Sequence, residues 1–122
     1  MKRRIYISGP MTGIDPREYR RRFREAEAIL RRHGYGCINP CRVWPCRFPW
    51  LYRLMNALLG KRLTYAVILA YDLILLMTRA DGIAMLPGWQ ASRGAQIENY
   101  TARHFPLMGI SRQAAEEIER IK

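Results

Sequence analysis

Short apolar runs alternate with longer helical patterns along this chain, and that alternation restricts the fold more than any other feature of the sequence. Residues 3–8 read as a first strand around Ile5 and Ile7, 35–38 as a second, 82–86 as a third and 105–110 as a fourth. Strands separated by helices assemble as a parallel sheet covered on both faces. Ligands of such sheets sit beyond the carboxyl ends of the strands, so the loops that follow the strands are the expected site. With 122 residues and 49% hydrophobic content, the chain has the size of one domain with an ordinary packed core.

The helices carry recognisable signals. Asp15 can cap the first, Pro16 suits its first position, Glu18 completes a capping box, and Phe23, Ala26, Ile29 and Leu30 form its apolar stripe up to Gly34. Pro45 and Pro49 break the region after Cys41, and residues 50–59 then read as a helix. A turn at Gly60-Lys61-Arg62 and a buried helix over 63–79 follow. The apolar run in that last helix is interrupted by Asp72 and is shorter than the ~20 residues that span a bilayer, so no membrane partner is expected. A further helix occupies 93–103, and Ser111 can cap a last one through Ile121. Residues 1–4 lead straight into the first strand with no apolar leader, which predicts a cytoplasmic protein. Cys37, Cys41 and Cys46 fit no zinc spacing and neither His33 nor His104 sits in a ligand-like repeat, so reduced thiols are expected, with no metal and no cofactor.

A net charge of +11 arises from 18 Arg and 3 Lys against 10 acids. Guanidinium binds phosphate through a fixed fork of donors, so the excess suits phosphate-bearing partners. Arg17, Arg20, Arg21, Arg22, Arg24, Arg31 and Arg32 share one helix and also read as a solvated face. Charge alone supplies non-specific affinity, and the aromatics are not interleaved with the arginines, so specific nucleic-acid binding is not expected.

Two carboxylates stand out. Residues 86–98 run from an apolar stretch through a glycine-containing loop into a helix capped by Ser92, which puts Glu98 under two turns in, with only Gly94 and Ala95 one turn before it. Asp72 is the only charged side chain between Arg62 and Arg79, and it shares a helical face with Ile68, Leu69, Leu75 and Leu76. A carboxylate there is paired with an arginine, protonated, or lining a cavity. Tyr6 points to the opposite side of its strand from Ile5 and Ile7, where its hydroxyl can orient Glu98 or simply pack. In the loop after the first strand, Gly9 and Gly13 are four apart with Pro10 between them, which is no dinucleotide fingerprint. That loop reads as a close backbone approach to a sugar or phosphate, or as a plain strand-to-helix turn. Two carboxylates and a tyrosine at one sheet edge suit cleavage of an N-glycosidic bond, one carboxylate trapping the oxocarbenium-like centre and the other protonating the departing base.

As a set, Ile5-Tyr6-Ile7-Ser8-Gly9-Pro10-Met11-Thr12-Gly13, Ile38-Asn39-Pro40, Tyr71-Asp72-Leu73, Ala80-Asp81 and Leu86-Pro87-Gly88-Trp89 through Ser92-Arg93-Gly94 to Glu98 resemble the small phage and bacterial branch of the nucleoside 2-deoxyribosyltransferase superfamily, over nearly the whole chain. The resemblance implies one domain, 1–122, with a flavodoxin/Rossmann-like three-layer sandwich and a four- to five-stranded parallel sheet. It implies transfer or hydrolysis at the N-glycosidic bond of deoxynucleosides or their monophosphates, with Glu98 as nucleophile, Asp72 at the base and Tyr6 beside them. Ser8, Gly9, Pro10, Met11, Gly13, Asn39, Gly88, Trp89, Ser92 and Gly94 are the expected substrate contacts, Ser92 at a phosphate. It also implies a homo-oligomer, for which the apolar region from Trp44 to Leu59 is the candidate contact. The basic 41–62 segment, Gln90 in place of a glutamate, and 96–100 without a Glu-Leu-Gly pattern depart from the superfamily. They keep a second expectation open, a nucleotide-binding module without turnover.

Overall fold

A computed structural model describes residues 2–11, 13–42, 48–105 and 107–122; Trp44 and Cys46 lie outside them. Three strands, β1 (Arg4–Ser8), β2 (Gly36–Ile38) and β3 (Gly82–Met85), form a parallel sheet in the order β2-β1-β3. Four helices accompany it: α1 (Pro16–Arg32), α2 (Pro49–Arg79), α3 (Arg93–His104) and α4 (Arg112–Glu119). Period-two alternation along β1 divides the interior. Ile5 and Ile7 join Ala84 of β3, the α1 stripe Phe23, Ala26, Ile29 and Leu30, and Ile118 of α4 in one cluster. Tyr6 points the other way, into a cluster with Leu76 and Ala80 at the end of α2 and Ala102 of α3. Helices therefore cover both faces of the sheet.

The sheet has three strands rather than the four or five expected. Met108 makes a single bridge to Gly82, with its N–H donating to the Asp81 carbonyl at 2.9 Å, and no ladder continues from it among the described residues. Three residues later Ser111 caps α4, accepting a hydrogen bond from Ala114 N at 3.3 Å, so the chain leaves the sheet edge after one residue pair. Met108 is itself half exposed.

The helix signals are met with two exceptions. The first is that the segment over 63–79, read as a buried helix, buries only Thr64 and Leu76 and leaves Leu63, Tyr65, Ile74 and Met77 exposed, because one face alone packs on α3 and the sheet. Asp15 Oδ1 accepts from Arg17 N at 2.8 Å and Pro16 opens α1. Glu18 does not reach back to complete a capping box; its carboxylate is taken by Arg21 and Arg22 one turn on. In α2 the turn expected at 60–62 is a break at Gly60, whose φ of 82° and ψ of 161° lie outside helical space and separate the two helical segments read from the sequence. Among the described residues no helix is long and apolar enough to cross a membrane.

Gly82 marks where the last segment presses on the sheet. A Cβ there would collide with the Met108 carbonyl oxygen and meet Ile5 Cδ1 at 2.9 Å, whereas a Cβ on Gly109 meets nothing within 4 Å. Overpacking of this kind costs about 1–3 kcal/mol. Gly82→Ala is accordingly expected to lower the urea midpoint by an equivalent amount while Gly109→Ala leaves it nearly unchanged; equal effects would contradict the contact.

Candidate functional site

The loops after β1 and β3 meet at the carboxyl edge of the sheet. Gly9 is buried against Leu86, where a Cβ would come within 2.7 Å of the leucine side chain, and the Pro10 ring reaches Gly88. Gly88 holds φ at 85°, a left-handed conformation that side chains strain to adopt, and it turns the chain into a 3-10 turn at Trp89–Ala91. Ser92 then caps α3, its hydroxyl accepting from Ala95 N at 3.4 Å.

This path delivers Glu98 to β1. The Tyr6 hydroxyl donates to Glu98 Oε2 and the Ser8 hydroxyl donates to Oε1 at 2.9 Å. Tyr6 and Ser8 are two residues apart on one strand and so share a face. Both are fully buried, and Glu98 is 6% exposed. Burial raises the Glu98 pKa to about 7, with the two hydroxyl hydrogen bonds pulling in the opposite direction.

Asp72 is half-buried on α2. Burial first, and then the negative charge of Glu98, raise its pKa to about 8. The ion pairs among the described residues lie elsewhere, chiefly along α1 and between α1 and α4, and none involves Asp72 or Glu98. An arginine pair, one of the three states open to Asp72 from the sequence, is therefore not the one found. Two carboxyl groups that repel each other in poorly solvated surroundings titrate as a pair. Both values lie near neutrality and that of Asp72 is the higher, so a proton kept by the pair near pH 7 favours Asp72.

The remaining expected residues fall into different surroundings. Asn39 is buried with its amide engaged inside the fold, Oδ1 accepting from Cys41 N at 2.9 Å and Nδ2 donating to Glu27 Oε2 at 3.4 Å. Glu27 was not singled out from the sequence; it is 5% exposed and also meets Arg31 and Arg42, each at 3.4 Å. Met11 packs against the α1-side core, Gly13 occupies an exposed turn with φ of 79°, and Trp89 is half-buried. The space over Gly94 is not open as its small size suggested, because the Tyr65 hydroxyl of α2 lies 2.9 Å from where a Cβ would stand. Two open depressions, of about 540 and 570 Å³, lie elsewhere, one beside Lys2, Arg3 and Tyr35, the other between α1 and α4. Among the described residues no three His, Cys, Asp or Glu side chains converge as a metal site.

Ser8 was expected to touch substrate, yet its hydroxyl is directed at Glu98; alternation with Tyr6 was the signal for that. Tyr65 was missed, although it precedes Asp72 by seven residues, two turns of the same helix face.

The raised Asp72 pKa has a consequence for stability. A carboxyl whose folded pKa exceeds its unfolded value of about 3.9 contributes stability that is complete below that value and is lost as pH rises through the folded pKa, here about 8. Asp72→Asn removes the titration. Its melting temperature should exceed that of the native protein at pH 9 and show no such gain at pH 4. Parallel pH profiles for the two proteins would contradict the burial.

No curated protein and no solved structure matches the chain significantly. A family model described as Domain of unknown function (DUF4406) does match, over residues 3–109. That span takes in all three strands, the Tyr6–Ser8–Glu98 cluster and Asp72, and the chain therefore belongs to the DUF4406 family.

Proposed function

We propose that this protein cleaves the N-glycosidic bond of a deoxynucleoside or its monophosphate, with Glu98 as nucleophile and Asp72 as acid. The observation that carries the reading is a buried carboxyl group, hydrogen-bonded on both oxygens, beside a second carboxyl whose pKa burial raises to about 8. The resemblance to nucleoside 2-deoxyribosyltransferases supports it. So does the strand order β2-β1-β3, which begins the 2-1-3-4-5 order of flavodoxin-like sheets, where ligands bind at the carboxyl edge.

In this reading each Glu98 oxygen accepts one hydroxyl hydrogen bond and keeps a lone pair. One oxygen attacks C1′ of the sugar as the C1′–N bond breaks, forming a glycosyl ester on Glu98. The electron pair of that bond leaves with the base, which takes the Asp72 proton. Water or a second base then attacks C1′ and returns a proton to the Asp72 carboxylate as the ester C–O bond breaks. Tyr6 and Ser8 hold the Glu98 carboxyl in one orientation throughout, which is the contribution of positioning.

One observation favours the second reading, binding without turnover. Glu98 is only 6% exposed. Release of free base decides between the two. With deoxynucleosides and their 5′-monophosphates as probes, chromatography should show base release by the native protein and none by Glu98→Gln. The rate should fall below about pH 7, where Glu98 is protonated, and above about pH 8, where Asp72 is not. Binding of a probe with no release would establish the second reading.

The proposal includes a homo-oligomer. Trp50, Leu54 and Leu58, spaced by one turn on α2, are 64%, 46% and 74% exposed and form an apolar row that a second copy would cover. Sedimentation should find Leu58→Glu at the monomer mass and the native protein above it; equal masses would remove the contact.

A further inference from the structure

We propose that Tyr65 is a substrate-binding residue of the Glu98–Asp72 site, its hydroxyl donating a hydrogen bond to an oxygen at the 5′ end of the bound sugar; this rests on the N-glycosidic reading. Tyr65 stands seven residues before Asp72 on α2, roughly 10 Å along the helix and on the same face. Across from it, Gly94 stands one turn before Glu98 on α3. The Tyr65 hydroxyl lies against Gly94, where a Cβ would be 2.9 Å from the oxygen and 4.0 Å from the ring carbon that bears it.

The two helices thus run side by side, with Tyr65 opposite Gly94 at one end of their contact and Asp72 near Glu98 further along. Tyr65 is 42% exposed and forms no hydrogen bond or ion pair among the described residues, so its donor is free to meet a ligand. Asp72 serves the base and Glu98 serves C1′ in the reading above. A nucleoside laid along these two helices therefore directs its opposite end, the 5′ oxygen, toward Tyr65 and the start of α3. Gly94 follows from the same geometry, since any side chain there would displace the hydroxyl.

The test compares a 2′-deoxynucleoside, its 5′-monophosphate and the 2′,5′-dideoxynucleoside, which lacks the 5′ oxygen. Affinity is measured by calorimetry on Glu98→Gln protein, which holds each probe intact, and KM and kcat are measured with Glu98 present. Tyr65→Phe should weaken the two probes that carry a 5′ oxygen about tenfold, chiefly in KM, and leave the dideoxy probe unchanged. A larger loss for the monophosphate than for the nucleoside would assign the partner as a phosphate oxygen, and equal losses as the 5′ ester or hydroxyl oxygen itself. Gly94→Ala should reproduce the loss and add little to Tyr65→Phe, because both remove the same contact.

Tyr65→Phe that binds all three probes as the native residue does would overturn the assignment while leaving the N-glycosidic reading intact. Probes that bind with a Tyr65-dependent preference but release no base would sustain the assignment and overturn the enzymatic reading. Failure of every probe both to bind and to react would overturn both.

Discussion

The carboxyl group of Glu98, caught between the hydroxyls of Tyr6 and Ser8, ties the first strand to the third helix, and the rest of the candidate site is arranged around that tie. Taking a carboxylate from water is costly unless its oxygens are hydrogen-bonded. Two hydroxyls meet that need in part, and the pKa of about 7 records what they leave unmet. The capped start of α3 at Ser92, the left-handed Gly88 and the close packing of Gly9 on Leu86 all set the path by which Glu98 reaches β1.

The distribution of charge gives the candidate site its character. Arginines dominate the composition, yet the ion pairs of the described residues cluster on α1 and at its contacts with α4, and on Glu27 near β2. Among the described residues no cation pairs with Asp72 or Glu98, and burial solvates both poorly. Each then raises the cost of ionising the other, and a carboxyl group at pH 7 can keep its proton. An arginine within reach of Asp72 would lower its pKa and remove the proton on which the proposed acid role depends.

Much of the fold was legible locally because its signals are local. The Asp15 and Ser111 caps, the Gly60 break and the face of β1 that carries Tyr6 follow from residue type and spacing along a few residues of chain. The capping box at Glu18 failed because arginines one turn away compete for the same carboxylate. The fourth strand failed because pairing depends on what lies alongside, and residues 105–110 find Gly82 through Met108 alone.

The sequence by itself determined the alternation that yields a parallel α/β sheet, the two carboxylates that stand apart from the arginine-rich surface, and the strand face on which Tyr6 lies. Each depends on periodicity or on chemical contrast with near neighbours, which a linear chain displays. Tertiary structure alone decided that Ser8 turns to Glu98, that Asn39 is engaged with Glu27, that none of the described arginines pairs with Asp72 and that Tyr65 covers Gly94. Those contacts join residues 12 to 90 positions apart in the chain, and no local pattern specifies them, because the distance between such groups is set only when the helices pack on the sheet.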